Sequence, residues 1–354
     1  MKYLNIILII LFLFPSSCIL SSTAKRTPNW AKIMQKKVKL LEKDFEGEFG
    51  IYVYDLENND AFNYNADELW YLSSAIKVPV AIGLMKMVDQ KKVKLSDKVT
   101  ISKADYRDGA GPVNWLKPGS KVSYRYLLKQ MLIYSDNAAT DLIIKKVGLN
   151  TINFMVQQSL SSKSFGPITT LLDVRKKAYG NIHPKAKELS NTDYFLIKKK
   201  RGPEKRLKEL IRLLRVEQKD LVLPTVDAGF DKYYEEGWNS STLVGYAELL
   251  KKLLSNQLLS KKSTRILLKT MTGIQTGKKR IRKGLSRKLF FTHKTGTQHR
   301  QACDIGMAGP KKTKKAKVLI LVCTKKWEKL ANAEKLMAKV GKMVSNSKLF
   351  KKKK

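Results

Sequence analysis

Along the chain, segments with apolar residues at helical spacing give way to short runs rich in aromatic and β-branched residues. From Pro28 to about Phe45, Trp30, Ile33, Met34, Val38 and Leu41 recur three or four positions apart and predict one helix face. Glu48 to Leu56 predicts a strand, Asn58-Asn59-Asp60 a turn, and Ala61 to Asn65 a second strand. Ser74 to Val88 is apolar on nearly every side, which predicts a buried helix. Further helices are expected over Tyr124–Tyr134, Asp136–Val147, Thr151–Leu160, Pro203–Val216 and Ser241–Leu254, with a shorter one at Ser263–Thr272. Pro203 and Ser241-Thr242 are good helix openers. Gly166 to Arg201 contains Pro167, Gly180, Pro184 and Asn191 and reads as a long irregular loop or insertion. Strands return at Lys288–Lys294, Ala302–Ala308 and Val318–Cys323, and a helix from Trp327 to about Met343 closes the chain.

This order predicts an α/β fold of the α+β sandwich kind. One antiparallel sheet is built from both chain ends and flanked by helices, with an all-helical domain inserted between its strands. The expected sheet domain covers residues 28–72 and 285–347. The helical domain covers 73–284, with its insertion at about 166–238, and a basic tail covers 348–354.

Composition changes the picture in three places. First, Lys2 is followed by an apolar run from Leu4 to Phe14, then Pro15, Ser16, Ser17 and Cys18. Such a run is too short for an ordinary membrane span and reads, over residues 1–22, as a signal peptide leading to a secreted or periplasmic protein. Cys18 follows two serines as at a lipoprotein site, but Pro15 stands where Leu is usual, so simple secretion is favoured over lipidation. Second, only Cys303 and Cys323 remain after export, too few for a disulfide-built scaffold. A symmetric hairpin centred at residue 313 sets them opposite each other. Two buried thiols are favoured over a bond, because directly opposed strand cysteines often strain a disulfide. Third, 70 Lys+Arg stand against 30 Asp+Glu, a net charge of +40. The positive residues are spread along the chain, with small clusters at Lys198–Arg201, Lys311–Lys317 and Lys351–Lys354. Neither an RNP motif nor a zinc finger accompanies them, so nucleic acid is not expected; weak association with an anionic envelope surface is.

The chemistry lies in three short motifs: Ser74-Ala75-Ile76-Lys77, then Ser135-Asp136-Asn137, then Lys294-Thr295-Gly296 with Thr297 after it. In so lysine-rich a chain S-x-x-K alone is weak; it recurs at Ser22–Lys25 and Ser345–Lys348. Only Ser74–Lys77 opens an apolar helix. Residues three apart share a helix face, so the Lys77 amine reaches the Ser74 hydroxyl. Burial disfavours its ammonium form and lets a neutral Lys77 act as a base toward Ser74. Ser135, Asp136 and Asn137 are equally good helix-capping types, a role compatible with catalysis.

The ordered triple resembles the class A β-lactamases and the wider penicillin-recognising serine hydrolases. The likeness extends to Ser135–Leu142 (SDNAATDL) and Asn239-Ser240-Ser241-Thr242, and implies the β-lactamase/transpeptidase-like fold. It implies Ser74 as nucleophile, Lys77 as base, and Ser135 as the residue passing a proton to the leaving nitrogen. Asn137 would bind the acylamide of the substrate, and Lys294 and Thr295 its carboxylate. The backbone N–H groups of Ser74 and Thr297 would form the oxyanion hole, with Asp136 fixing its loop. Arg300 is a candidate second carboxylate anchor or a surface arginine. Trp115 is a candidate cleft-mouth aromatic or a core residue. His293 and His299 are expected to do no chemistry. Neither metal nor cofactor is expected, and a monomer is.

The chain departs from the family in one respect. Between Ser135 and Lys294 it is long, and the excess falls between Gly166 and Trp238. There the family carries, in an E-x-x-L-N pattern, the glutamate that activates the deacylating water. No such pattern occurs. Leu171–Lys177 (LLDVRKK) resembles the approach to it, with lysines where the glutamate should fall. Glu188, Glu235 and Glu236 remain as substitutes, and the choice among them is open. The resemblance thus implies an exported serine hydrolase acylated by β-lactams and slow to deacylate. A D-alanyl-D-alanine peptidase, or a non-catalytic envelope-binding protein on the same scaffold, are the alternatives.

Overall fold

The computed structural model describes residues 27–109 and 111–350. The expected signal peptide with Cys18, and the last lysines Lys351–Lys354, lie outside them. No helix among the described residues is long and apolar enough to cross a membrane.

A five-stranded antiparallel sheet holds the two chain ends together. Its order is Asp60–Tyr64, Glu48–Asp55, Val318–Lys325, Gln301–Pro310, Leu289–Gln298. The three inner strands are buried along almost their whole length because both faces are covered. One face, with Ile51, Val53, Ile320 and Val322, packs on the terminal helices Asn29–Asp44 and Leu330–Asn346. The other, with Tyr52, Ile305, Leu319 and Leu321, packs on the helical region around Lys77–Asp89. The alternation of faces along each strand produces two separate cores from one sheet. The strand carrying Lys294 is an edge strand, so one of its sides is free to border a cleft.

Several elements differ from expectation. Ser74 lies in a tight 3₁₀ turn, Ser73–Ile76, and the α-helix begins at Lys77. The helix expected over Tyr124–Tyr134 is α only to Lys129 and then widens into a π-turn, Gln130–Tyr134. Strand Leu289–Gln298 runs through the Lys-Thr-Gly-Thr motif instead of ending before it.

The stretch expected as irregular, from Gly166 to Arg201, is mostly helical. It holds Leu171–Gly180 and Asn191–Lys199, and beyond it lie Pro203–Leu214 and Val226–Glu235. The residues read as breakers act as boundaries. Thr170 caps the first helix, Gly180 is its last residue, Pro184 opens a 3₁₀ turn, and Ser190 forms a capping box with Asp193. These helices share a core of their own, with Val174, Tyr179, Tyr194, Leu210 and Phe230.

Cys303 and Cys323 face each other in register with Cα atoms 4.1 Å apart, and they are bonded. The symmetric-hairpin argument places them correctly; the preference for free thiols is overturned.

Candidate active site

The turn that carries Ser74 is wedged between two rigid neighbours. Ser73 takes a left-handed conformation at φ 50°, which turns the chain sharply into the 3₁₀ segment. Such strain in a non-glycine residue costs about 1–2 kcal/mol and is held by the packing around it. On one side the edge strand presses in: a Cβ on Gly296 would stand 2.1 Å from the Leu72 carbonyl oxygen. On the other, the Leu72 N–H donates to the Asn239 carbonyl at 2.9 Å. Asn239 in turn grips the start of the insertion, accepting from Thr169 N at 2.9 Å and donating to Thr169 Oγ1 and Tyr233 Oη.

Lys77 projects from the first turn of its helix and is fully buried. Its Nζ lies 3.1 Å from Ser74 Oγ, 2.6 Å from the Ser135 carbonyl, 3.2 Å from Ser135 Oγ and 2.7 Å from Asn137 Oδ1. Desolvation pushes its pKa down to about 7, against the pull of Asp136 and Asp141. Lys294 is equally buried; its Nζ donates to Ser135 Oγ and to the Thr295 carbonyl, each at 2.9 Å. Burial, with the like charges of Lys77 and Arg280, holds it well below the usual lysine range. The Ser135 hydroxyl therefore sits between two amines whose protons are loosely held.

Ser135 is itself left-handed, at φ 61°, directly after the π-turn. It does not begin the next helix. Asp136 caps Asn137–Val147, accepting from Ala139 N at 2.8 Å, and also accepts from Val113 N at 2.9 Å. Gly111, at φ 136°, leaves room for that carboxylate, since a Cβ there would stand 2.1 Å from Asp136 Oδ2. Asn137 is held at both ends of its amide, by Lys77 and by the Asp108 carbonyl at 2.7 Å.

Ser74, Ser135, Asn137, Thr295 and Thr297 line one cavity of about 560 Å³, with Lys77 and Lys294 beneath it. A larger, mostly apolar cavity of about 1010 Å³ lies beside Leu254, Leu268 and Met307 and carries none of the motif residues. Arg300 borders the Ser74 cavity but turns to Asp227 and Asp231, at 3.6 and 3.9 Å. The arginine against the motif strand is Arg280, which sequence reasoning missed. It donates to the Gly296 carbonyl at 2.9 Å and to Thr297 Oγ1 at 2.6 Å, balanced by Glu334 at 3.3 Å. His293 pairs with buried Asp304 at 2.5 Å, and His299 with Asp227 at 2.9 Å. Trp115 is exposed, in a neighbouring aromatic groove that shares Gly109 and Tyr134 with the cavity.

None of the three substitute glutamates reaches the cavity. Glu188 is exposed, Glu235 pairs with Lys232 at 3.4 Å, and Glu236 accepts from Trp238 Nε1 at 2.7 Å. The insertion instead contributes Arg175, Lys198 and Arg206. Lys177, one of the lysines expected there, lies over the Trp238 ring at 4.0 Å. Arg175 is buried against Asp108 at 2.8 Å.

A model of the β-lactamase enzyme family matches residues 33–347. The chain belongs to this family. β-Lactamase SME-1 of Serratia marcescens is 31% identical over 135 residues, 38% of this chain and 45% of that protein. β-Lactamase CTX-M-8 of Citrobacter amalonaticus is 30% identical over 118 residues, 33% of this chain and 40% of that protein. The chain thus spans less than half the length of these β-lactamases. Solved structures are matched over most of their length. PBP-A, as a mutant acyl-enzyme with penicillin G, superposes with a TM-score of 0.66 at 19% identity, covering 89% of this chain and 96% of that one. A β-lactamase of Xanthomonas campestris gives 0.67 at 17%, covering 90% and 98%. These likenesses establish the β-lactamase fold.

Proposed function

We propose that this protein is an exported serine hydrolase in which Ser74 is acylated by β-lactams and the acyl group leaves slowly. The observation that carries the reading is the 3.1 Å approach of the Lys77 amine to the Ser74 hydroxyl. With a pKa of about 7, a large share of Lys77 is neutral near neutral pH. A neutral amine has two N–H bonds and one lone pair. The two shortest contacts of Lys77 go to carbonyl oxygens, of Ser135 and Asn137, which take the N–H bonds. The lone pair is left for the Ser74 proton.

Ser74 Oγ then attacks the lactam carbonyl carbon and its proton passes to Lys77. The oxyanion is received by the backbone N–H groups of Ser74 and Thr297. As the C–N bond breaks, the ring nitrogen takes the Ser135 proton. Ser135 is re-protonated from Lys77, 3.2 Å away, which restores the base. Lys294, Thr295 and, through Thr297, Arg280 hold the substrate carboxylate, and Asn137 meets the acylamide.

Slow release follows from what the insertion brings. Its cavity residues are Arg175, Lys198 and Arg206, with no carboxylate to take a proton from water; the glutamates that line the cavity, Glu328 and Glu334, stand instead at the closing helix, Glu334 held by Arg280 at 3.3 Å. The same feature favours the second reading, a D-alanyl-D-alanine peptidase of the penicillin-binding class. Residues 1–22 are assigned as the signal peptide. The test is intact-mass spectrometry after a pulse of benzylpenicillin. An adduct should form on the wild type, persist for minutes or longer, and be absent from Ser74→Ala. An adduct on Ser74→Ala would remove Ser74 as nucleophile. Fast turnover without accumulated adduct would overturn slow release. No adduct on the wild type leaves the non-catalytic envelope-binding alternative.

A further inference from the structure

The Ser74 cavity has cations at two ends, and only one end is explained by a substrate carboxylate at Lys294 and Thr295. The other is built by the insertion. Arg175 stands in helix Leu171–Gly180, Lys198 near the end of Asn191–Lys199, and Arg206 in Pro203–Leu214. Three separate helices thus deliver a positive side chain to the same wall. Its position along the cleft is fixed by two links. Arg175 pairs with Asp108, whose backbone carbonyl holds Asn137. Arg206 lines the same cavity as Gln298 and His299, at and just past the end of the strand Leu289–Gln298. The trio therefore lies toward Asn137 and the far end of the motif strand, where the acyl part of a substrate must run.

The charges at the wall built by the insertion do not balance, since the two glutamates that line the cavity, Glu328 and Glu334, stand at the closing helix and Glu334 is held by Arg280. Asp108 is taken by Arg175, whose Nε donates to both carboxylate oxygens at 3.0 and 2.9 Å and whose Nη2 lies 2.8 Å from Oδ2. Asp227 is taken by His299 and Arg300. Among the described residues no carboxylate pairs with Lys198 or Arg206. Lys198 keeps contact with water, yet its pKa is pushed down to about 8 by desolvation in the cleft wall and by Arg175 and Arg206. Like charges gathered at one wall repel, and an anion placed among them relieves that repulsion.

We propose that Arg175, Lys198 and Arg206 form a second anion subsite, which selects substrates carrying an additional carboxylate on the acyl side. The inference rests on the acyl-enzyme reading and names the substrate class of that site: a molecule with one carboxylate at Lys294 and Thr295 and another at the far end of its acyl chain. Lys198 and Arg206 supply the free charge. Arg175, locked to Asp108, supplies a fixed positive edge beneath them.

The test uses adipoyl-penicillin and its side-chain methyl ester, which share the same acyl chain and differ by one negative charge and a terminal methyl group. Acylation of the wild type should favour the acid by about tenfold at low salt, and the preference should shrink as salt is added. In Lys198→Glu/Arg206→Glu, which removes the Arg206 Nε bond to the Lys200 carbonyl but leaves the Arg175–Asp108 pair in place, the acid-to-ester ratio should fall to one or below. Equal rates for acid and ester on the wild type, or a ratio unmoved by the double substitution, overturn the subsite. Calorimetric binding of both probes to Ser74→Ala asks the same question without covalent chemistry. There a preference for the acid supports the subsite even if the wild type is never acylated, which would instead refute the proposed function. Equal or absent binding of both probes refutes the subsite.

Discussion

Lys77 is placed where a lysine is most expensive to keep charged, and this has two measurable consequences. In the proposed mechanism Lys77 must be neutral, and burial lowers its pKa from 10.5 to about 7. Acylation by benzylpenicillin should therefore rise with pH, with a midpoint near 7, and level off above it; a flat profile from pH 5 to 9 would move the base elsewhere. Lys77→Arg carries a guanidinium that stays protonated, so acylation should fall by about a thousandfold or more when followed by stopped flow. The second consequence is in stability. Between about pH 7 and 10.5 the unfolded chain holds a proton on Lys77 that the folded chain does not. Over that window the wild type should gain on Lys77→Met, in urea melts, by up to about 1.4 kcal/mol per pH unit. Below pH 7 both states are protonated and the difference should be constant. That the motif residues meet at one cavity was legible because the proposed chemistry prescribes their types and spacing. Arg280 was not, because in the run Lys278-Lys279-Arg280 nothing but its final position distinguishes it from a solvated cation. Asp108 was missed for the same reason: a carboxylate that holds Arg175 by its side chain and Asn137 by its backbone looks, in sequence, like any loop aspartate.

At the scale of elements, the site depends on how closely the edge strand meets the nucleophile turn. Gly296 allows it: an added Cβ would fall 2.1 Å from Leu72 O and 2.9 Å from the Ser73 Cβ. Both are part of a strained, packed turn, so the strand must retreat. Gly296→Ala should lower the acylation rate by about a hundredfold through misplacement and cost roughly 1–3 kcal/mol in stability. Near-normal acylation with an unchanged melt would show that the turn is softer than its packing implies. One strand further in, the Cys303–Cys323 bond closes a hairpin with a sequence separation of 20. Cys303→Ala/Cys323→Ala should destabilise by about 2–3 kcal/mol in oxidising buffer, and the gap to wild type should close on reduction. Strands and long helices were predictable from periodicity because each buries a continuous face. Within the insertion Pro203–Leu214 was expected, but Gly166–Arg201 was misread because its helices are short and capped. In helices of nine or ten residues, caps and glycines occupy so much of the length that boundaries resemble interruptions.

For the whole molecule, topology follows from sequence order: two strands at one end and three at the other complete a single sheet, and everything between must loop out to one side of it. The cationic character of the chain is a property of the same scale. Basic residues exceed acidic ones by 40, and no single face was needed to collect them. An excess this large, spread rather than focused, produces a field that acts on any extended anionic surface and does not recognise a sequence or a shape. Association should therefore be weak per contact, multivalent and strongly screened. The protein without residues 1–22 should co-sediment with vesicles containing about a third anionic lipid at ~20 mM salt, and be largely released by ~0.5 M, where the screening length falls to a few ångströms. Neutral vesicles should retain little of it at either salt. Binding that survives high salt, or that neutral vesicles match, would mean that an apolar or specific contact, and not the field of the +40 charge, holds the protein at surfaces. Release by salt with benzylpenicillin acylation persisting would separate this surface property from the chemistry proposed at Ser74, as expected if the buried Lys77 is shielded from the ionic atmosphere.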